Sequence, residues 1–165
     1  RWPAVLVLVL LAVTAPSGAG ARSEGRDTGL PVPRFVSLRA DTVNMRAGPG
    51  KRYPIDWVFK RRGLPVVVLR EFKVWRKVRS ADGTVGWVHA AMLSGMRTVR
   101  IVGSSMRALF AEPAATAATV ALVEPGVIGK FGGCDGEFCR IDLGAHRGWM
   151  RRGHLFGVRQ TAQDE

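Results

Sequence analysis

The stretch GLPVVVLREFKVWRKVRSADGTVGWVH, residues 63–89, decides the fold. Pro65–Leu69 is β-branched and apolar, bounded by Gly63 and by charged residues from Arg70 onward. That pattern reads as a buried strand. Val74, Arg76 and Val78 alternate with Trp75, Lys77 and Arg79, the period of two of a strand with one face on a core. Asp82-Gly83 signals a hairpin turn, because glycine accepts the positive φ such a turn needs. Val85–His89 then reads as the partner strand, and Ala90–Leu93 as a single helical or 3-10 turn. Upstream, Val43 and Met45 alternate with polar neighbours, and Ala47-Gly48-Pro49-Gly50 breaks that strand into a loop.

The same order of signals recurs. Val43-Asn44-Met45-Arg46 answers Ser104-Ser105-Met106-Arg107 at an offset of 61. Gly63-Leu64-Pro65-Val66 answers Gly126-Val127-Ile128-Gly129 at 63, and Trp75-Arg76-Lys77-Val78 answers Phe138-Cys139-Arg140-Ile141 at 63. Gly86-Trp87-Val88 answers Gly148-Trp149-Met150, and Leu93-Ser94-Gly95 answers Leu155-Phe156-Gly157, both at 62. A near-constant offset implies two copies of one fold. Five short strands in each copy of about 60 residues suggest a small β-barrel. No segment after the N-terminus has a convincing amphipathic helix pattern; residues 114–123, AATAATVALV, come nearest.

The N-terminus reads as an export signal. Arg1 is followed by ten apolar residues at 4–13, then by TAPSGAGAR. Ala19-Gly20-Ala21 is an A-x-A cleavage pattern, so the expected mature start is Arg22. The apolar run is about half the ~20 residues of a membrane-spanning helix, so no span is expected once it is removed. Export bears on the charge. The 165 residues hold 25 Lys+Arg and 13 Asp+Glu, a net +12. Alone that suggests nucleic acid, an anionic surface or an acidic polymer. Removing residues 1–21 leaves 24 Lys+Arg and 13 Asp+Glu, +11, in a periplasmic or extracellular space where nucleic acid is not the expected partner. The expected organisation is a signal peptide at 1–21, a flexible linker at 22–34 (charged, Gly- and Pro-containing, without periodicity), barrels at 35–96 and 97–158, and a tail at 159–165.

In order and spacing, Asn44-Met45-Arg46-Ala47-Gly48-Pro49, Gly63-Leu64-Pro65-Val66, Trp75-Arg76-Lys77-Val78, Gly86-Trp87-Val88 and the closing Leu93 resemble the bacterial SH3-like domain family. The paired-domain type of secreted alphaproteobacterial proteins is the nearest in kind. Residues 37–95 match almost every motif position. Residues 98–157 match more loosely, with Ala111-Glu112-Pro113 at the Gly-Pro loop and Phe138 for Trp75. The resemblance implies an all-β fold of two tandem small SH3-like barrels. It also implies a non-enzymatic module that binds cell-wall peptides or glycans, with no cofactor.

Cys134 and Cys139 flank a Gly-containing turn, which is hairpin geometry, and an exported chain would oxidise them. The offset of 63 places Glu71 and Arg76 at the matching positions of the first copy, an opposite-charge pair that would close the same hairpin more weakly. Zinc on Cys134, Cys139, His146 and His154 is disfavoured by spacing. A catalytic Cys with His146 lacks an orienting partner, and the C-x-x-C of redox enzymes is absent.

Residues 37–95 carry 12 Lys+Arg and 4 Asp+Glu, +8, against 7 and 5, +2, for residues 98–157. The first copy is therefore the expected binding half. Its basic turn Lys60-Arg61-Arg62 and the aromatics Tyr53, Trp57 and Trp75 are the candidate ligand residues, since cations with aromatic faces suit carboxylate-bearing sugars or peptides. Trp87 and Trp149 are expected as core anchors, and Asn44 and Arg46 as braces for loop carbonyls. The expected partner is a cell-wall polymer or an acidic envelope protein. The alternatives are an adaptor for a separate wall hydrolase or signalling partner and, less favoured, a nucleic-acid binder.

Overall fold

The computed structural model describes residues 23–160. The expected signal peptide, its cleavage point and the last five residues of the tail lie outside the described residues. The first half contains β1 (Ser23–Glu24), β2 (Pro31–Val32), β3 (Arg34–Leu38), β4 (Val43–Arg46), β5 (Ile55–Phe59), β6 (Pro65–Phe72), β7 (Trp75–Arg79), β8 (Val85–His89) and β9 (Leu93–Ser94). The second contains β10 (Thr98–Ile101), β11 (Arg107–Phe110), β12 (Thr119–Val123), β13 (Ile128–Asp135), β14 (Phe138–Asp142), β15 (Arg147–Arg151) and β16 (Leu155–Phe156). A 3-10 turn at Ala90–Met92, and another at Arg152–His154, precedes the last strand of each half.

The two halves are the same antiparallel sheet built twice. The strand order is β5-β4-β8-β7-β6-β3-β9 in one and β12-β11-β15-β14-β13-β10-β16 in the other. Each sheet curls round its own core. Leu38, Val43, Met45, Val66, Val68, Val78 and Val88 fill the first; Val99, Ile101, Leu109, Cys139, Ile141, Met150 and Leu155 fill the second. Each sheet has seven strands where the sequence pattern marked five, the shortest having only two residues. The expectation of an all-β tandem of small barrels is met. No helix among the described residues is long and apolar enough to cross a membrane.

Of four local readings, three are corrected and one is kept. First, β4 and β11 correspond at an offset of 64, not 61: Val43 pairs Phe59 as Arg107 pairs Val123. The partner of buried Met45 is therefore buried Leu109, and Met106 is exposed. The shared Met-Arg lettering was a coincidence that core packing overrides. Second, residues 114–123 hold a loop and the edge strand β12, in keeping with the lack of a convincing helix pattern there. Third, Trp87 and Trp149 are half-buried on the outer faces, because Gly86, Val88, Gly148 and Met150 take the inward positions. Fourth, the expected flexible linker is a β-hairpin, with Ser23 opposite Val32 and Glu24 opposite Pro31. Val32 enters the first core. Composition marks such a segment as unstructured only until a partner distant in sequence is known, and here that partner is Glu71.

Glu71 stands opposite Arg76 across the β6–β7 hairpin, as Cys134 stands opposite Cys139 across β13–β14. Its side chain is fully buried, and its carboxylate accepts from Arg34 Nη2 at 2.7 Å with Arg76 Nε at 3.4 Å. It also accepts from the backbone N–H groups of Asp27 (3.0 Å) and Thr28 (2.9 Å) and from Thr28 Oγ1 (2.7 Å). Burial pushes this carboxyl up, but the hydrogen bonds from Thr28, Arg34 and the backbone of Asp27 outweigh it and hold the pKa down at about 2. Cys134 and Cys139 form a disulfide.

Candidate functional site

The barrels meet along β10 and β6. Thr98 Oγ1 donates to the Gly63 carbonyl at 2.7 Å, and Arg61 Nη1 to the Gly126 carbonyl at 3.0 Å. The Arg97 guanidinium lies over Phe131 at 4.8 Å and Phe35 at 5.6 Å, and Phe35 meets Phe156 edge-on. Gly157 has a φ of 115° and packs on the Thr98 carbonyl and on Pro65, where no side chain would fit. Ring contacts and charge-assisted hydrogen bonds thus fix the two units against each other.

Beside this junction runs a cleft of about 400 Å³. One wall is Trp57 with Lys60 and Arg61, from the edge strand β5 and the turn after it. Pro65 and Val66 lie on the apolar side, the Ser80–Asp82 turn borders it, and Arg100 with Gly126 comes from the second barrel. Trp57 is 47% exposed because β5 ends the sheet, with no further strand among the described residues to cover it. Ser80 donates to the Asp82 carboxylate, and this bond holds its pKa below the usual range. The cleft therefore presents three cations, one fixed anion and an aromatic face. That composition can hold a carboxylate-bearing chain through charge-assisted hydrogen bonds and ring contact.

Of the six residues singled out by sequence, Trp57, Lys60 and Arg61 come together here. Arg61 also bonds across to the second barrel, so it braces the cleft as well as lining it. Arg62 points outward to a solvent-exposed Asp41 at 3.5 Å, a pair of small energetic weight. Tyr53 sits on a different loop. Its ring packs against Gly48, and Arg52 lies over it at 5.2 Å. Trp75, expected as a ligand platform, is instead 8% exposed and stacks edge-on to His89, so its ring offers no open face to a ligand. Its strand partners cover it.

Arg46 does brace its loop, donating to the carbonyls of Tyr53 (2.7 Å) and Lys51 (3.2 Å). Its counterpart in the second barrel is Phe110, which packs edge-on against Phe138 instead. Two features escaped the sequence reading. Arg100 and the Ser80–Asp82 turn reach the cleft only through barrel docking, for which no local pattern exists. Trp87 lies in a row running Arg70, Lys77, Trp87, Arg46 across β6, β7, β8 and β4. The alternation of Gly86 and Val88 around it was the signal that could have revealed its outward direction.

No curated protein matches this chain. Solved structures similar to it include NlpC2 from Trichomonas vaginalis, with 16% identity over 76% of this chain and a TM-score of 0.34, and NlpC1 from the same organism, with 16% identity over 88% and a TM-score of 0.36. The chain spans about half the length of both, 48% and 50%. The family model described as bacterial SH3 domain matches residues 39–95. Those residues carry Trp57, Lys60 and Arg61 of the cleft, so the matched stretch supplies one wall of it.

Proposed function

We propose that this chain is an exported, non-enzymatic binding module that recognises anionic cell-wall material, peptide or glycan, through the cleft between its barrels. The observation that carries the reading is the convergence of Trp57, Lys60 and Arg61 with Arg100 of the second barrel on one concave surface. A flat charged face would offer only screened, diffuse attraction. A concave site with an aromatic wall adds contact and orientation. The match of residues 39–95 to the bacterial SH3 domain model supports a binding role, and the signal-like sequence at 1–21 supports a periplasmic or secreted location.

Cosedimentation with purified cell-wall sacculi at graded salt tests the proposal. Binding should weaken with salt. The double reversal Lys60→Glu with Arg100→Glu should lower it at least about tenfold, the loss expected for a charge-assisted contact or two. Reversing Lys51 and Arg52, on the other loop, should leave it within about twofold, as a general screened attraction changes little with two charges. Equal loss in both variants would mean diffuse charge attraction, and no loss in the first would remove the cleft as the site.

A further inference from the structure

β12 is an end strand of its sheet, and no strand pairs with its outer edge among the described residues. Val120 and Leu122 face away from the core, 41% and 65% exposed. Ala108 stands beside Leu122 on β11, and Met106, just before that strand, is 55% exposed. Residues 114–123 contain no charged side chain and no proline. Native edges normally carry a charge, a proline or a strong twist to prevent further pairing. The bulge in β12 falls at Val120 and leaves Ala121–Val123 in regular register. The matching edge of the first barrel is guarded differently: exposed Asp56 stands where the second has Val120, and Asn44 where it has Ala108.

We infer that the β12 edge is a self-association surface, and that two copies of the chain pair through it as antiparallel strands, with Leu122 near the twofold axis. A contact between identical patches must be complementary to itself, and an uncharged apolar strip with free backbone donors and acceptors meets that condition. The charge distribution favours a second copy as occupant: residues 98–157 carry only +2, whereas residues 37–95 carry +8. Pairing second barrels joins the nearly neutral halves and avoids the repulsion that joining first barrels would bring. The edge offers no charged group by which a polar partner would be selected. A contact this short buries less than the ~1,200 Å² at the low end of standard interfaces, so the dimer belongs in the micromolar range. It gives each particle two clefts, and thus avidity on a repeating polymer.

Sedimentation equilibrium of the whole protein across the micromolar range should show a monomer–dimer equilibrium. Leu122→Lys should weaken it at least about tenfold, and Asp56→Lys, at the guarded edge, should not. Leu122→Cys should give a self-linked dimer on mild oxidation, a readout independent of how well the lysine variant folds. A monomer at every concentration, or a dimer indifferent to Leu122→Lys, would overturn the inference. The first outcome would leave the β12 edge to a different protein or to none.

Discussion

The two barrels close the same hairpin with different chemistry. In the second, the disulfide of Cys134 and Cys139 is complete in itself, and both sulfurs belong with the core. In the first, Glu71 is a buried carboxylate, and a buried charge is costly unless paired and hydrogen-bonded. It therefore gathers Arg34, Arg76 and the Asp27 and Thr28 N–H groups, and in doing so draws the N-terminal hairpin onto the barrel. A covalent closure stays local, whereas an ionic one extends the fold until the charge is satisfied.

The second barrel has a corresponding device at the other terminus. Buried Arg152 donates to the Gly136 carbonyl at 2.9 Å and to the Arg159 carbonyl at 2.9 Å, so the hairpin turn holds the start of the expected tail. The first barrel has Ala90 at that place, with only the backbone bond to Val74 retained. Each barrel thus uses one buried charged side chain to hold the segment that leaves it.

The strongest way to break this comparison is Glu71→Ala. Removing one member of a buried ion cluster strands the others, at a cost of about 3–5 kcal/mol. Urea unfolding should show that loss, and hydrogen exchange should show the Asp27 and Thr28 amides losing protection. Unchanged stability would mean that the carboxylate recruits nothing.

Acid should act on the first barrel in the same way. A carboxyl lowered from 4.5 to about 2 contributes in full above its unfolded pKa and loses that contribution as pH falls through its folded value. Between pH 4.5 and about 2 the first barrel should lose about 3 kcal/mol. Glu71→Gln should remove this part of the pH slope. An identical slope in both proteins would assign it to other carboxylates.

The smallest effect is expected at the disulfide. Replacing both cysteines by serine reopens a short loop, worth about 2 kcal/mol in the chain-entropy model. Exchange should rise in β13 and β14 and not in β6 and β7. A loss of protection spread over both barrels would show that docking couples them more tightly than the hairpins suggest.

Much of the fold was legible because strand signals are local. The Pro65–Leu69 run, the Asp82-Gly83 turn (with Gly83 at a φ of 86°) and the inward Gly86 and Val88 all act through near neighbours. The pairing of Glu71 with Arg76 was also legible, since a repeat transfers register from one copy to the other. The misplaced offset at Met106 shows the limit. Letters can match where burial does not, and burial belongs to the whole core. The site divides in the same way. Lys60, Arg61 and Trp57 could be named from charge and aromatic content, whereas Trp75 could not be ruled out until its neighbours were known.

The sequence by itself determined two copies of a small β-barrel, their strands and turns, the cysteine pair and the concentration of positive charge on the first copy. These follow from period-two patterning, turn chemistry and composition, all properties of neighbouring residues. Only the tertiary structure decided that the segment before the first barrel is a hairpin held by Glu71, that Trp75 is covered while Trp87 faces outward, and that Arg100 joins Lys60 and Arg61 in one cleft. Those outcomes depend on contacts between residues tens of positions apart, where satisfying a buried charge and docking two convex units select the geometry, and no local pattern records that selection.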